Sequence, residues 1–258
     1  MRILAITQAR YGSTRLPAKV LKKVNGVTLL ETHLRRILQS KLITKLKVAT
    51  TNEEGAEHIT DIAERVGVEW YKGSVNDVLD RFYQTALPEM PDYVVRLTSD
   101  CPLIDPAIID HIIQYCIDND FDYVSNGMHP TYPDGMDTEV FKFSALETAW
   151  KEANLQSERE HVTPYIKKLG TFRGGFVFKS DNVDNFDDWS EYRITVDEPQ
   201  DFELVKALIE NLGVDKSCAD YVDYIKNHQE VKDLNSYFQR NEGYVKSLQN
   251  DKVIFPDH

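Results

Sequence analysis

Cysteine is scarce in this chain. Its 258 residues hold only Cys101, Cys116 and Cys218, with no C-x-x-C spacing. So sparse and odd a set argues against a disulfide framework and against structural zinc, and points to reduced thiols. Long apolar runs are missing, and no stretch reaches the length of a membrane span. Met1-Arg2 runs straight into strand-forming residues without a signal-peptide pattern, so a cytoplasmic protein without a membrane partner is expected. Positive charge is in deficit: 30 Lys and Arg stand against 42 Asp and Glu, a net charge of −12. Such a body is a poor default partner for nucleic acid. Internal repeats and low-complexity tracts are absent, as are G-x-x-x-x-G-K-[ST], G-x-G-x-x-G and G-x-S-x-G. No cysteine has an evident base partner, so covalent catalysis is not expected.

Against this acidic background, one basic loop stands out. The apolar run Ile3-Leu4-Ala5-Ile6 leads into Gln8-Ala9-Arg10-Tyr11-Gly12-Ser13-Thr14-Arg15-Leu16-Pro17-Ala18-Lys19. A short strand thus ends in one glycine, small hydroxyls and three cations, the chemistry needed to hold a polyanion such as a triphosphate. Gly12 admits close backbone approach. Ser13, Thr14 and backbone N–H groups can donate, and Arg10, Arg15 and Lys19 offset charge.

Strand and helix patterns alternate beyond the loop. Helices are expected over Thr28 to Ser40, around Ile59 to Val66 with Gly67 as a stop, over Val75 to Ala86, and from Pro106 onward. Strands are expected at Leu46 to Thr50, Val68 to Tyr71 and Tyr93 to Leu97. Repeated strand–helix–strand units imply an α/β fold, a mainly parallel sheet with helices on both sides. Ligands then bind beyond the carboxyl ends of the strands, which brings the loops at Gln8–Lys19, Thr50–Glu53 and Ser99–Asp105 to one edge. The second half reads as strands at Tyr123 to Ser125, Thr138 to Lys142, Phe172 to Phe178 and Tyr192 to Val196, then a helix from Pro199. Residues 1–213 are read as one domain and 214–258 as a helical appendage.

Two acids follow predicted strands directly, Asp100 and Asp197. Each could cap the helix opened by Pro106 or Pro199, or the two could hold Mg2+ against phosphates. Asp134-Gly135 reads as a turn, with Asp137 and Glu139 on one strand face. In Ser157-Glu158-Arg159-Glu160-His161, Ser157 and Glu160 fit a capping box, leaving Glu158, Arg159 and His161 for chemistry.

Together these segments resemble the cytidylyltransferases of the spore coat polysaccharide biosynthesis protein F type, related to CMP-Kdo and CMP-sialate synthetases. The resemblance spans most of the chain. It rests on Gln8 through Lys19, Ala49-Thr50-Thr51, Gly73 through Tyr83, Asp100-Cys101-Pro102-Leu103-Ile104-Asp105 and Tyr132-Pro133-Asp134-Gly135. It continues through Ser157 to Pro164, Thr195-Val196-Asp197-Glu198-Pro199 and the tail motif beginning Arg240. It implies a nucleotide-diphosphosugar-transferase (GT-A-type) three-layer fold. Arg10, Gly12, Ser13, Arg15 and Lys19 would hold the CTP phosphates, with Gln8, Ala9 and Thr51 near cytidine. Asp100 and Asp197 would bind Mg2+, and Asp100 would act with Arg10, Arg15 and Lys19 in catalysis. Asp134, Asp137, Glu139, Glu158, Arg159 and His161 would face an acidic sugar acceptor, and a homodimer is expected. Ser99 and Ala18 depart from the family's usual glycines. A nucleotide-sugar-dependent glycosyltransferase and a non-catalytic nucleotide-binding protein are the alternative readings, as is the same transfer from another nucleoside triphosphate.

Overall fold

The apolar alternation of the first strand sets the architecture. In the computed structural model, which describes residues 1–13, 15–240 and 242–254, β1 (Ile3–Gln8) sends Ile3 and Ala5 into one buried cluster and Leu4 and Ile6 into another. A strand buried on both faces must lie inside a sheet covered on both sides. The elements that follow are β2 (Lys23–Val24), β3 (Val27–Thr28), α1 (Leu29–Ile37), β4 (Lys45–Thr51), α2 (Ala56–Val66), β5 (Glu69–Gly73), α3 (Val78–Ala86), β6 (Tyr93–Thr98) and α4 (Pro106–Asp118). Next come β7 (Tyr123–Ser125), β8 (Glu139–Lys142), α5 (Phe143–Glu152), α6 (Gln156–His161), α7 (Pro164–Leu169) and β9 (Ser180–Asn182). The chain closes with α8 (Pro199–Leu212), α9 (Cys218–Asn227), α10 (Gln229–Lys232) and α11 (Glu242–Gln249).

The main sheet runs β5-β4-β1-β6-β8-β7-β9. β1 pairs in parallel with β4 and β6, β4 with β5, and β7 with β9, while β8 runs antiparallel to β6 and β7. The mainly parallel sheet expected from the alternation is therefore present, with β8 making it mixed. Helices α1, α2 and α4 cover one face through Leu34, Ile59 and Ile112. Helices α3 and α5 cover the other through Phe82 and Leu146. A third apolar cluster joins Leu16, Val24 and Leu103 to α8 and α9 through Leu204, Leu208, Tyr221 and Ile225. The segment after Gly213 thus shares a core with the side of the molecule that carries the basic loop. No helix among the described residues is long and apolar enough to cross a membrane.

Two expected strands do not form. Over 172–178 a short 3-10 turn, Thr171–Arg173, ends at Gly174 in a left-handed conformation, and Phe176 is 96% exposed. The paired glycines break the extended run, and the edge strand forms later, at β9. Tyr192 to Val196 keeps its apolar alternation, since Tyr192, Ile194 and Val196 are all buried. Its partners are loops instead of a strand: Ile194 N–H donates to Asp134 O (2.6 Å) and Val196 N–H to Asp100 O (2.7 Å). Gly135 forms the corner opposite, with φ +110, and a Cβ there would lie 2.7 Å from the Ile194 carbonyl carbon. Only glycine suits that turn.

Arg36 binds the C-terminal helices to the core. Only 1% exposed, it donates to the carbonyls of Ile104 (2.6 Å), Lys216 (3.0 Å) and Val214. Arg36→Leu leaves those buried acceptors without their donor and is expected to cost about 2–4 kcal/mol. A urea titration yielding under about 0.5 kcal/mol would show that the α8–α9 connection does not need this tie.

Candidate functional site

The carboxyl ends of β1, β4 and β6 deliver three loops to one edge. Gly12 N–H donates to Glu53 Oε1 (2.7 Å), and Ser99 N–H to Gln8 O (3.2 Å). The Tyr11 ring lies over Gly55, where a Cβ would come within 2.5 Å of it. Glu53 and Gly55 therefore shape the basic loop from the β4–α2 connection. Neither carries a motif that marks it in the sequence.

Lys19 is the centre of the site. It opens a short 3-10 turn whose cap, Ala18, holds φ +50. A non-glycine residue thus occupies the left-handed conformation. Lys19 Nζ donates to Asp197 Oδ1 (2.7 Å) and Asp100 Oδ2 (3.1 Å). Arg15 reaches Asp197 (2.9 Å) and Glu198 (3.3 Å). Segments 81 and 178 positions apart from Lys19 thus meet on one ammonium. Burial opposes ionisation of Asp100, but Lys19, Thr98 and Cys101 hold its carboxyl well below the usual range. The Lys19 ammonium is held above its ordinary value: burial pulls it down, and Asp100 and Asp197 outweigh that.

The capping alternative for both aspartates gives way to other residues. Helix α4 is capped by Asp105, which accepts from Ala107 N–H (2.9 Å). At α8 the Asp201 carboxylate accepts from the N–H groups of Asp197 and Glu198 (both 2.9 Å). Asp100 and Asp197 are therefore left to the cations. Both offer oxygen ligands suited to a hard divalent ion, and a shared ammonium shows that positive charge is accommodated between them. Among the described residues no cluster of three or more His, Cys, Asp or Glu is arranged around a metal position. Phosphate oxygens and water would have to complete such a shell.

On the α3 face of the sheet, polar atoms are buried without partners among the described residues: Gln8 Oε1, Thr51 Oγ1 and Arg81 Nε. Thr51 pairs with Gly73 across the β4–β5 ladder, and the Arg81 stem lies on Gly73, where a Cβ would meet it at 3.0 Å. Burial, then Arg10, lowers the Arg81 guanidinium to about 10. Orphaned buried polar groups cost free energy, so these three atoms carry unmet hydrogen-bonding capacity at this edge of the sheet. Arg81 lies within the Gly73–Tyr83 segment but has no local signal separating it from a helix-surface arginine. Ala9 is buried and Arg10 exposed at the same edge, and Ser13 N–H donates to Tyr11 O (2.9 Å). Thr14 lies outside the described residues.

The residues read as facing the acceptor divide into separate settings. Asp134 pairs with Arg193 (2.6 Å), which also clasps Asp201 and reaches Asp197 (3.5 Å). Burial and Asp137 push the Asp134 carboxyl up, against Arg240 and Arg193. Asp137 precedes β8 and pairs with Arg240 (2.6 Å). Glu139 is enclosed by Arg96, Tyr123 (2.6 Å), Thr163 (2.7 Å) and Lys167 (2.6 Å). Arg159 is 1% exposed and tied to Asp77 (2.7 Å) and the Trp150 and Ala153 carbonyls. Glu158 reaches back to Leu155 N–H (3.3 Å) at the start of α6. Ser157 is not the cap; its N–H and hydroxyl are held by Asp251 (2.9 and 2.7 Å). His161 contacts Ser247 (2.9 Å) and the edge of Tyr244. Of these, only Asp134 and Asp137 border the Lys19 centre; the others secure α6, β8 and the tail. A cavity of about 660 Å3 between the β2–β3 hairpin and α8 is lined by none of the site residues.

His33 was not legible as a functional residue. From α1 it accepts from Thr7 Oγ1 (2.8 Å) and donates to Cys101 O (2.8 Å), fixing the loop that carries Asp100. Complete burial lowers its pKa to about 4. Its folded value lies below the unfolded one, so it binds fewer protons when folded, and stability falls as pH drops from about 6.5 towards 4. Going from pH 7 to pH 5 is expected to cost about 2 kcal/mol on this account. His33→Gln should remove much of that slope in urea titrations at the two values, and an unchanged slope would contradict the assignment.

Comparison with known proteins finds relatives over most of the chain. The cytidylyltransferase family matches residues 4–242. Spore coat polysaccharide biosynthesis protein SpsF of Bacillus subtilis is 33% identical over 219 residues, covering 82% of this chain and 88% of that protein. The 3-deoxy-manno-octulosonate cytidylyltransferase of Geobacter metallireducens is 34% identical over 196 residues, 75% of this chain and 67% of its own. A solved cytidylyltransferase structure from Leptospira borgpetersenii superposes with a TM-score of 0.85 at 33% identity, covering 93% of this chain and all of that one. The chain therefore belongs to the cytidylyltransferase family and is a CTP-using nucleotidyltransferase.

Proposed function

We propose that the protein transfers CMP from CTP to a hydroxyl of an acidic sugar destined for a surface polysaccharide, releasing pyrophosphate. The observation that carries this reading is the meeting of Lys19 and Arg15 with Asp100 and Asp197. Cations for a triphosphate and carboxylates for a divalent ion occupy one point, each neutralising the other. The relatives support the acidic sugar, since one is a 3-deoxy-manno-octulosonate cytidylyltransferase and another serves spore coat polysaccharide synthesis.

In this reading Gln8, Ala9 and Thr51 hold cytidine, with Arg81 beside them. Gly12 offers its backbone N–H and Ser13 its hydroxyl to phosphate, and Arg10, Arg15 and Lys19 stabilise the departing pyrophosphate. Asp100 and Asp197 would hold Mg2+, which supplies Lewis-acid polarisation of the α-phosphate when bound. The sugar lies on the Asp134 and Asp137 side, where its hydroxyl can approach the α-phosphorus in line with the leaving group.

A pyrophosphate-release assay with each of the four nucleoside triphosphates, Mg2+ and a panel of sugar acids tests this. CTP-specific release with an acid is expected. Asp100→Asn, Asp197→Asn and Lys19→Met should each lower turnover by roughly 10²–10³. Release from no triphosphate, or sugar transfer from a nucleotide sugar without pyrophosphate, would overturn the proposal.

A further inference from the structure

We propose that Arg240, delivered by the segment before α11, reads the negative charge of the acceptor. The inference rests on the transfer reaction above and assigns the residue that recognises its second substrate. An acidic sugar requires a cation in its pocket, and a guanidinium can meet a carboxylate through two parallel hydrogen bonds.

Several nearby cations are otherwise committed, and Arg96 gives its Nη1 to Glu139 inside the sheet. Arg159 is sealed beneath α6. His161 is lowered to about 4 by burial and then by Arg96 and Lys167, so it is neutral at pH 7. Arg193 is held by Asp201 and Asp134. Lys167 is bound to Glu139, and Lys19 and Arg15 belong to the nucleotide.

Arg240 differs in setting. It donates to Tyr132 O (3.0 Å) and to Asp137 Oδ1 (2.6 Å). The Asp137 side chain is 36% exposed and that of Arg240 15%, so the pair reaches solvent on its Asp137 side. Room for that carboxylate exists because residue 127 is glycine; a Cβ there would lie 2.8 Å from Asp137 Oδ1. The pair stands beside the chain of contacts that runs from Asp197 through Arg193 to Asp134. Burial opposes the Arg240 charge, but Asp137 and Asp134 sustain it. Asp137 thus holds Arg240 as Asp100 and Asp197 hold Lys19: an internal carboxylate occupies a cation that a substrate anion can claim. The acceptor's carboxylate displaces Asp137 from Arg240, and Asp137 turns to the sugar hydroxyls.

The test uses the full chain, CTP, Mg2+ and 3-deoxy-manno-octulosonate as first probe, followed by the other acids of the panel. Arg240→Gln is expected to raise the acceptor KM about 10- to 100-fold while the CTP KM stays within about twofold, and Arg240→Lys should recover part of the loss. Lys167→Gln should leave the acceptor KM within about threefold. If Arg240 only fastened the tail, both KM values would rise together with a falling Tm, which would overturn the role. So would an unchanged acceptor KM in Arg240→Gln, or a loss found in Lys167→Gln instead. Should Arg240→Gln fail to fold, Arg240→Lys carries the test alone: a rise of the acceptor KM by about threefold or more is expected, and no rise overturns the role. Absence of turnover with every acid in the unaltered chain defeats the reaction and this role together, whereas turnover with a normal acceptor KM in the variant defeats the role alone.

Discussion

The Lys19 ammonium is the interaction on which the arrangement of this molecule depends. It joins the loop after β1, the loop after β6 and the segment before α8. Without a central cation, Asp100 and Asp197 would stand as neighbouring like charges in a half-buried place. With it, each is neutralised, and Arg15 and Arg193 extend the balance to Glu198 and Asp134. The acids proposed for a metal and the cations proposed for phosphate satisfy one another.

That pairing sets the logic of ligand binding. In the proposed reaction, triphosphate binding to Lys19 and Arg15 would strip Asp100 and Asp197 of their counter-charges, so anion and divalent cation would be taken up together. Coulomb energies in such a half-buried place far exceed those in water. The exchange replaces one set of neutral pairs with another and avoids stranding a charge. Glu53 repeats the pattern at smaller scale, holding the Gly12 N–H that a phosphate oxygen can take.

The supports around the site are neutral or fully bonded. His33 stays uncharged and holds the Cys101 carbonyl, and Arg36 and Arg159 spend their donors on carbonyls and one carboxylate. The tail is tied down by Asp251 on Ser157 and by Ser247 on His161. These contacts explain the polar density of Ser157 to His161: most of it fixes α6 and the tail in place.

Local sequence determined much of this protein. Strand alternation and helical spacing marked β1, β4, β6, α1, α2, α4 and α8, because periodicity and caps are properties of neighbouring residues. The same alternation misplaced strands at 172–178 and 192–196, since whether an extended segment pairs depends on what lies beside it. The basic loop, Asp100 and Asp197 were legible because strand-end position and residue type are written locally. Tertiary structure alone decided that Asp105 and Asp201, not Asp100 and Asp197, serve the helix starts. It likewise decided that Arg159 is sealed away, and that His33, Glu53, Arg81 and Arg240 converge on the site. Convergence across a hundred or more residues is a matter of packing, and no local pattern encodes it.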